Sequence, residues 1–182
     1  MQTKVILTGT FSSGKTTLLN LFQDRVLAGV IGNTFIIPEV AKKILDSRPD
    51  LFNKPELQQI ILTEQLRREQ EAERNNSSLI VCDRGLIDVI VYSKYFGHPQ
   101  PNISFHYDHI FLLSPEGVPC VYGEQAEMMR RDLHQIFLDV LDEQKLKYRV
   151  LVGSIEERYE TIESELYGRG IERNQIPWQE RR

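Results

Sequence analysis

Short apolar runs alternate along the chain with longer stretches whose apolar residues recur at helical spacing. Val5-Ile6-Leu7 predicts a buried strand, and Leu18, Leu19, Leu21 and Phe22 predict an amphipathic helix that fades near Ala28-Gly29. Residues 33–38 predict a second strand, closed by Pro38, and Val40, Ala41, Ile44 and Leu45 a short helix broken around Pro49. Pro55 opens a long helix reaching about Arg74, with Leu57, Ile60, Ile61, Leu62 and Leu66 as its apolar side. Leu79-Ile80-Val81-Cys82 predicts a third strand, followed by a helix from about 87 to 96 that Gly97 and Pro99 stop. His109-Ile110-Phe111-Leu112-Leu113 predicts a fourth strand, and 114–123, with two prolines and two glycines, a mobile loop. A helix over about 125–145 should turn Met128, Met129, Leu133, Ile136, Phe137, Val140 and Leu141 inward. A fifth strand covers 148–152, and Ser154-Ile155-Glu156-Glu157 is a capping box opening a last helix.

Alternation of this kind implies a mostly parallel sheet covered by helices on both faces. A chain of 182 residues suits one such domain, expected over 1–168, with 169–182 as a polar, Arg-rich tail carrying Trp178. The formal charge of −4 argues against a protein that coats nucleic acid, although it leaves room for a locally basic cleft. Cys82 and Cys120 supply neither a disulfide framework nor a zinc site, and they read as packing residues in a reducing compartment. No signal peptide is expected and no run has the length of a membrane span, so the expected location is cytoplasmic, with no membrane partner. Oligomeric state is left open, a homo-oligomer included.

The chemistry begins between the first strand and the first helix. Gly9-Thr10-Phe11-Ser12-Ser13-Gly14-Lys15-Thr16 fits G-x-x-x-x-G-K-[ST], the phosphate-binding loop of P-loop NTPases, in the strand–loop–helix context it needs. The glycines let backbone N–H groups converge on an anion at a helix N-terminus. Gly9, Thr10, Ser12, Ser13, Gly14, Lys15, Thr16 and Thr17 are therefore the expected triphosphate-binding set. Lys15 would neutralise the β- and γ-phosphates, and the Thr16 hydroxyl would ligate Mg²⁺.

Further acids stand at other strand ends. Asp83 closes an apolar strand, as the acid of a Walker B element does, and would hold the metal through water; the plainer reading is a helix cap. Arg84 could clamp a phosphate or an acceptor, or simply pair with Glu39. Glu39, at the carboxyl end of the second strand, is the candidate general base for phosphoryl transfer to a hydroxyl, or else a carboxylate that only orders Arg84. The histidines (98, 106, 109 and 134) lack metal-ligand spacing.

Together, Gly9 to Thr16, Pro38-Glu39-Val40-Ala41-Lys42 and Cys82-Asp83-Arg84-Gly85-Leu86-Ile87-Asp88 resemble an AAA-type ATPase/kinase family. That family includes the ribosylnicotinamide-kinase domain of NadR and the insect protein named for a TRPL translocation defect; deoxynucleoside kinases are more distantly similar. The resemblance extends to about Leu166. It implies a three-layer α/β/α P-loop fold with a five-stranded parallel sheet in the order 2-3-1-4-5. It also implies a Glu39 base, an Asp83-Arg84 pair, and Gln65 and Arg67 as acceptor-reading residues on the long helix. Lys42 stands where the family pattern has Arg, and Tyr122-Gly123-Glu124-Gln125 where its lid has Asp-Gly followed shortly by Arg. Arg130 and Arg131 follow a turn or more later; Arg130 is the candidate catalytic lid arginine, with a solvated helix face as the alternative. Arg158 either borders the adenine or pairs with neighbouring acids, the reading preferred here.

The expected activity is transfer of the γ-phosphate of ATP·Mg²⁺ to a hydroxyl of a nucleoside-like small molecule. Lys15, Glu39, Arg84 and Arg130 would be its catalytic groups, and Thr16 and Asp83 its metal site. The alternative is an ATP- or GTP-regulated binding module without phosphotransfer. An oligonucleotide 5′-hydroxyl kinase would want a basic groove, which the overall acidity disfavours.

Overall fold

The computed structural model describes residues 2–29 and 32–168, so the tail residues Arg169, Arg173, Trp178, Arg181 and Arg182 lie outside the described residues. In chain order the elements are β1 (Thr3–Thr8), α1 (Lys15–Leu27), β2 (Thr34–Ile37), α2 (Val40–Ser47), a 3₁₀ turn (Pro49–Leu51), α3 (Pro55–Arg74), β3 (Leu79–Asp83), α4 (Leu86–Tyr95), β4 (His109–Leu113), α5 (Glu124–Glu143), β5 (Arg149–Leu151) and α6 (Ile155–Tyr167). The strands form one parallel sheet in the order β2-β3-β1-β4-β5, as expected. Parallel neighbours need crossovers, and the helices between them supply the covering layers.

Alternation along the strands divides the core in two. Val5, Leu7, Val81, Phe111 and Leu113 face Leu18 and Phe22 of α1 and Tyr159 and Ile162 of α6. Ile6, Ile80, Cys82, Ile110 and Leu112 face Ile90 and Val91 of α4 and Leu133, Phe137 and Leu141 of α5. Both sheet faces are apolar, so β1, β3 and β4 read as unbroken hydrophobic runs rather than alternating ones. A third cluster, with Val40, Leu51, Leu57, Ile61 and Leu86, packs α2 and α3 beside α4 and builds a wall away from the sheet.

Two helix faces differ from their predicted composition. Ile60 and Met128 are exposed, Met128 at 63%. Ile60 precedes the buried Ile61 by one residue, a step of about 100° around the helix, so both cannot face inward fully. Met128 likewise lies beside the half-buried Met129, on the outer side of α5. The capping box at α6 forms as predicted: Ser154 Oγ accepts from Glu157 N–H at 3.2 Å, and Glu157 Oε2 from Ser154 N–H at 2.7 Å.

Candidate functional site

The carboxyl ends of β1, β2 and β3 are adjacent, and each delivers one part of a single cleft. From β1 comes the phosphate loop. Gly9 has φ +133° and its backbone lies so close to β4 that a Cβ would sit 2.8 Å from the Leu113 carbonyl oxygen, so only glycine fits. Gly14, at φ +89°, turns the loop into α1. Lys15 folds back into its own loop, where Nζ donates to the carbonyls of Gly9 and Thr10 and to Ser13 Oγ. Burial, and then the neighbouring Arg84 charge, lower its pKa to about 7. Thr16 and Thr17 are exposed at the start of α1, where hydroxyls can reach a ligand.

From β3 comes Asp83. The N-cap of α4 is Gly85, so Asp83 is not that helix's cap. Its Oδ1 is buried without a hydrogen-bond partner, and burial raises its pKa to about 6 against the pull of Lys15 and Arg84. An orphaned carboxylate oxygen on the strand beside the phosphate loop suits a hydrated divalent cation.

Arg84 follows in the left-handed region, φ +68°, a strained position for a residue with a side chain. That conformation sends the guanidinium back across the cleft. Nε donates to Glu39 Oε1 at 2.8 Å, and Nη1 to Asp88 Oδ1 at 2.8 Å and to the Gly9 carbonyl at 3.0 Å. The guanidinium also lies 5.4 Å from the Tyr92 ring centroid. Burial opposes its charge, but Tyr92, Glu39 and Asp88 hold its pKa well above the usual arginine value. Gly85 is needed for space rather than conformation: a Cβ there would run into Tyr107 Oη and Ile6 Cδ1.

From β2 comes Glu39, which stands at the N-cap position of α2 without bonding its backbone and is 24% exposed at its side chain. Together with Arg84 and Asp88 it forms the polar end of a cavity of about 460 Å³. The remaining walls are largely apolar: Phe11 of the phosphate loop, Phe52, Ile61, Tyr92, Phe96 and Tyr122. Phe11 and Tyr122 meet edge-on, with centroids 6.2 Å apart, so the loop and the 114–123 segment close one side together.

Other expected residues take different places. Gln65 is buried and lines the cavity. Arg67 does not: it is exposed and pairs with Glu64 and Glu71 along the outer face of α3, where i, i+3 and i, i+4 spacing puts them. Arg130 is buried, its Nη1 donating to the carbonyls of Ser12 (3.0 Å) and Val118 (2.8 Å) and its Nη2 to Glu127. It ties the phosphate loop to the 114–123 segment, whereas Arg131 is the exposed partner of Glu127. The expected acid pairing of Arg158 is corrected: at 2% exposed, its guanidinium donates to the carbonyls of Ser13, Gly153 and Ser114. Asp88 was legible only as part of the Asp83–Asp88 motif; its i+4 spacing from Arg84 was the available signal.

A sequence profile described as an AAA domain matches residues 4–158. No curated protein sequence matches the chain. Among solved structures, the fold is similar to a NadR protein in complex with NR, at 18% identity and TM-score 0.71, over 96% of this chain and 54% of that one. The chain thus spans about half of that relative. It is also similar to a deoxyadenosine kinase from M. mycoides (14%, TM-score 0.65, 90% of this chain and 98% of that one) and to a thymidylate kinase from Ehrlichia chaffeensis (15%, TM-score 0.56, 89% and 97%).

Proposed function

The chain belongs to the AAA domain family, and on that premise we propose that it is a P-loop kinase transferring the γ-phosphate of ATP to a hydroxyl of a nucleoside-like small molecule. One observation carries the reading: the Glu39–Arg84 pair stands between the phosphate loop and a closed-sided cavity large enough for a nucleoside-sized acceptor.

In this reading the loop N–H groups and Lys15 bind the triphosphate, Lys15 exchanging its loop carbonyls for phosphate oxygens. Thr16 and, through water, Asp83 hold a divalent cation, which when bound neutralises triphosphate charge. Glu39 takes the proton from the acceptor hydroxyl, and Arg84 fixes Glu39 and the acceptor relative to each other. The apolar walls exclude water from the transfer. The similarity to a NadR protein in complex with NR and to a deoxyadenosine kinase supports an acceptor of the nucleoside class.

Incubating purified protein with ATP·Mg²⁺ and a panel of nucleosides, ribosylnicotinamide and nucleoside monophosphates tests the reading. A phosphorylated acceptor is expected. Tight triphosphate binding with no product from any acceptor would overturn it in favour of a nucleotide-regulated binding module. The binding-module reading draws on Arg130, whose guanidinium is engaged here by the Ser12 and Val118 carbonyls and by Glu127.

A further inference from the structure

Beneath the cavity lies a buried polar chain that phosphate transfer does not use. Glu69, on α3 and 3% exposed, accepts with Oε1 from the Tyr107 hydroxyl at 2.8 Å and from Gln65 Nε2 at 2.8 Å. Its Oε2 accepts from Lys4 Nζ at 3.2 Å, whose ammonium also reaches Glu73 at 2.7 Å. Burial works against that ammonium, but Glu73 and Glu69 keep its pKa above the usual lysine value. Burial also pushes the Tyr107 hydroxyl well up, so it stays a donor, while its oxygen accepts from Leu86 N–H at 3.0 Å.

This chain decides which way the Gln65 amide faces. An amide has one acceptor end and one donor end, and Glu69 already receives the Tyr107 hydroxyl on one oxygen and the Lys4 ammonium on the other, so it presents acceptors. Gln65 must therefore turn its NH₂ toward Glu69, where the Arg84 carbonyl at 3.4 Å also receives it. The oxygen is left as the atom Gln65 offers to the cavity it lines. A freely rotating amide would accommodate either a donor or an acceptor on the ligand. An amide locked by a carboxylate accommodates a donor and opposes an acceptor.

We infer that Glu69 is a positioning residue that fixes Gln65 as a hydrogen-bond acceptor, so the cavity selects acceptor substrates whose flat ring carries an N–H donor. Exocyclic amines and primary carboxamides satisfy it; rings that carry no donor there, or carry a carboxylate, leave the Gln65 oxygen unpaired or repelled. The aromatic side chains of Phe11, Tyr92, Phe96 and Tyr122 flank the same space and suit a planar ring. This inference rests on the kinase reading for the identity of the cavity, but its selectivity is a property of binding.

The experiment uses two ligand pairs: adenosine against purine riboside, which differ by the exocyclic amine alone, and ribosylnicotinamide against ribosylnicotinate, in which a carboxylate replaces the donor. Each is measured by calorimetric binding to the full chain with a non-hydrolysable ATP analogue present, and by turnover with ATP·Mg²⁺. The donor-bearing member of each pair is expected to bind at least about tenfold more tightly. Glu69→Gln frees the amide to turn and should collapse that ratio toward one, with ATP affinity unchanged. Gln65→Leu, which leaves Glu69 paired with Lys4 and Tyr107, should abolish the ratio from the other side and guards against misfolding of the first variant. Equal binding within both pairs, or a ratio that survives in either variant, overturns the inference even if all four ligands are phosphorylated. Selective binding without any turnover would uphold it and sink the kinase reading, and no binding of any of the four would sink both.

Discussion

Asp88 receives the Arg84 guanidinium on Oδ1 at 2.8 Å, and its other oxygen is held by Thr8 Oγ1 at 2.8 Å and Gly85 N–H at 3.0 Å. Arg84 is thus aimed by a carboxylate that is itself anchored to β1 and to the first turn of α4. Asp88→Asn keeps the shape but weakens the ionic hold on a residue whose backbone is already strained at φ +68°. The expected result is a loss of about 10²-fold in kcat for the accepted nucleoside, because small displacements of a clamp are costly to a near-attack geometry. Triphosphate affinity, measured by fluorescent-nucleotide titration, should stay at the wild-type value. Wild-type kcat in Asp88→Asn would show that Arg84 needs no such anchor.

Glu39→Gln preserves the hydrogen bond from Arg84 Nε while removing the base. Turnover should fall by about 10²–10⁴-fold, the range for loss of a general base, with nucleotide binding retained. A steady-state assay over the acceptor panel is sufficient. Unchanged turnover would remove Glu39 from the chemistry and leave it as the orienting partner of Arg84.

Much of this site was legible because its parts obey local rules. The phosphate loop is a contiguous pattern, and Asp83 and Glu39 announce themselves as acids that end apolar strands. The strand order came through resemblance, not through periodicity. What stayed hidden was built from residues distant in sequence. Glu69 meets Tyr107 and Lys4 across separations of 38 and 65 residues, and no spacing rule reaches so far. Arg158 reads as one more charge on an acidic helix until the Ser13 carbonyl, 145 residues away, is placed against it. Arg67 failed for the opposite reason: helical periodicity puts it beside Glu64 and Glu71 on the outer face, where local pairing suffices.

Lys15 gives a pH-dependent prediction. Burial lowers its pKa to about 7 in the nucleotide-free protein, so at pH 7 to 8 half or more of these lysines are neutral. A bound triphosphate supplies negative charge and raises that pKa toward the ordinary lysine value. Binding therefore takes up a proton, with an uptake that grows as pH rises from about 6 to 8. Titration calorimetry in two buffers of different ionisation enthalpy reads the number directly. Uptake that stays at zero at pH 8, where Asp83 is already ionised, would mean Lys15 is charged before nucleotide arrives.

Arg158 carries the last prediction, which concerns stability and site together. Its guanidinium joins the loops that follow β1, β4 and β5, donating to Ser13 O at 2.7 Å, Ser114 O at 3.1 Å and Gly153 O at 3.0 Å. Burial lowers its pKa, so the charge is held at some expense and is justified by those bonds. Arg158→Met fills much of the same volume but leaves three carbonyls without this donor, at a cost of about 3 kcal/mol. For a domain of this size that lowers Tm by about 6–12 °C, readable by scanning calorimetry of the nucleotide-free protein. Arg158→Lys should recover little, because an ammonium on a flexible stem cannot span three acceptors that a planar fork reaches at once. Since Ser13 belongs to the phosphate loop, triphosphate affinity should drop in step with Tm. A variant that melts at the wild-type temperature, or binds nucleotide normally while melting early, would separate the staple from the loop it is argued to hold.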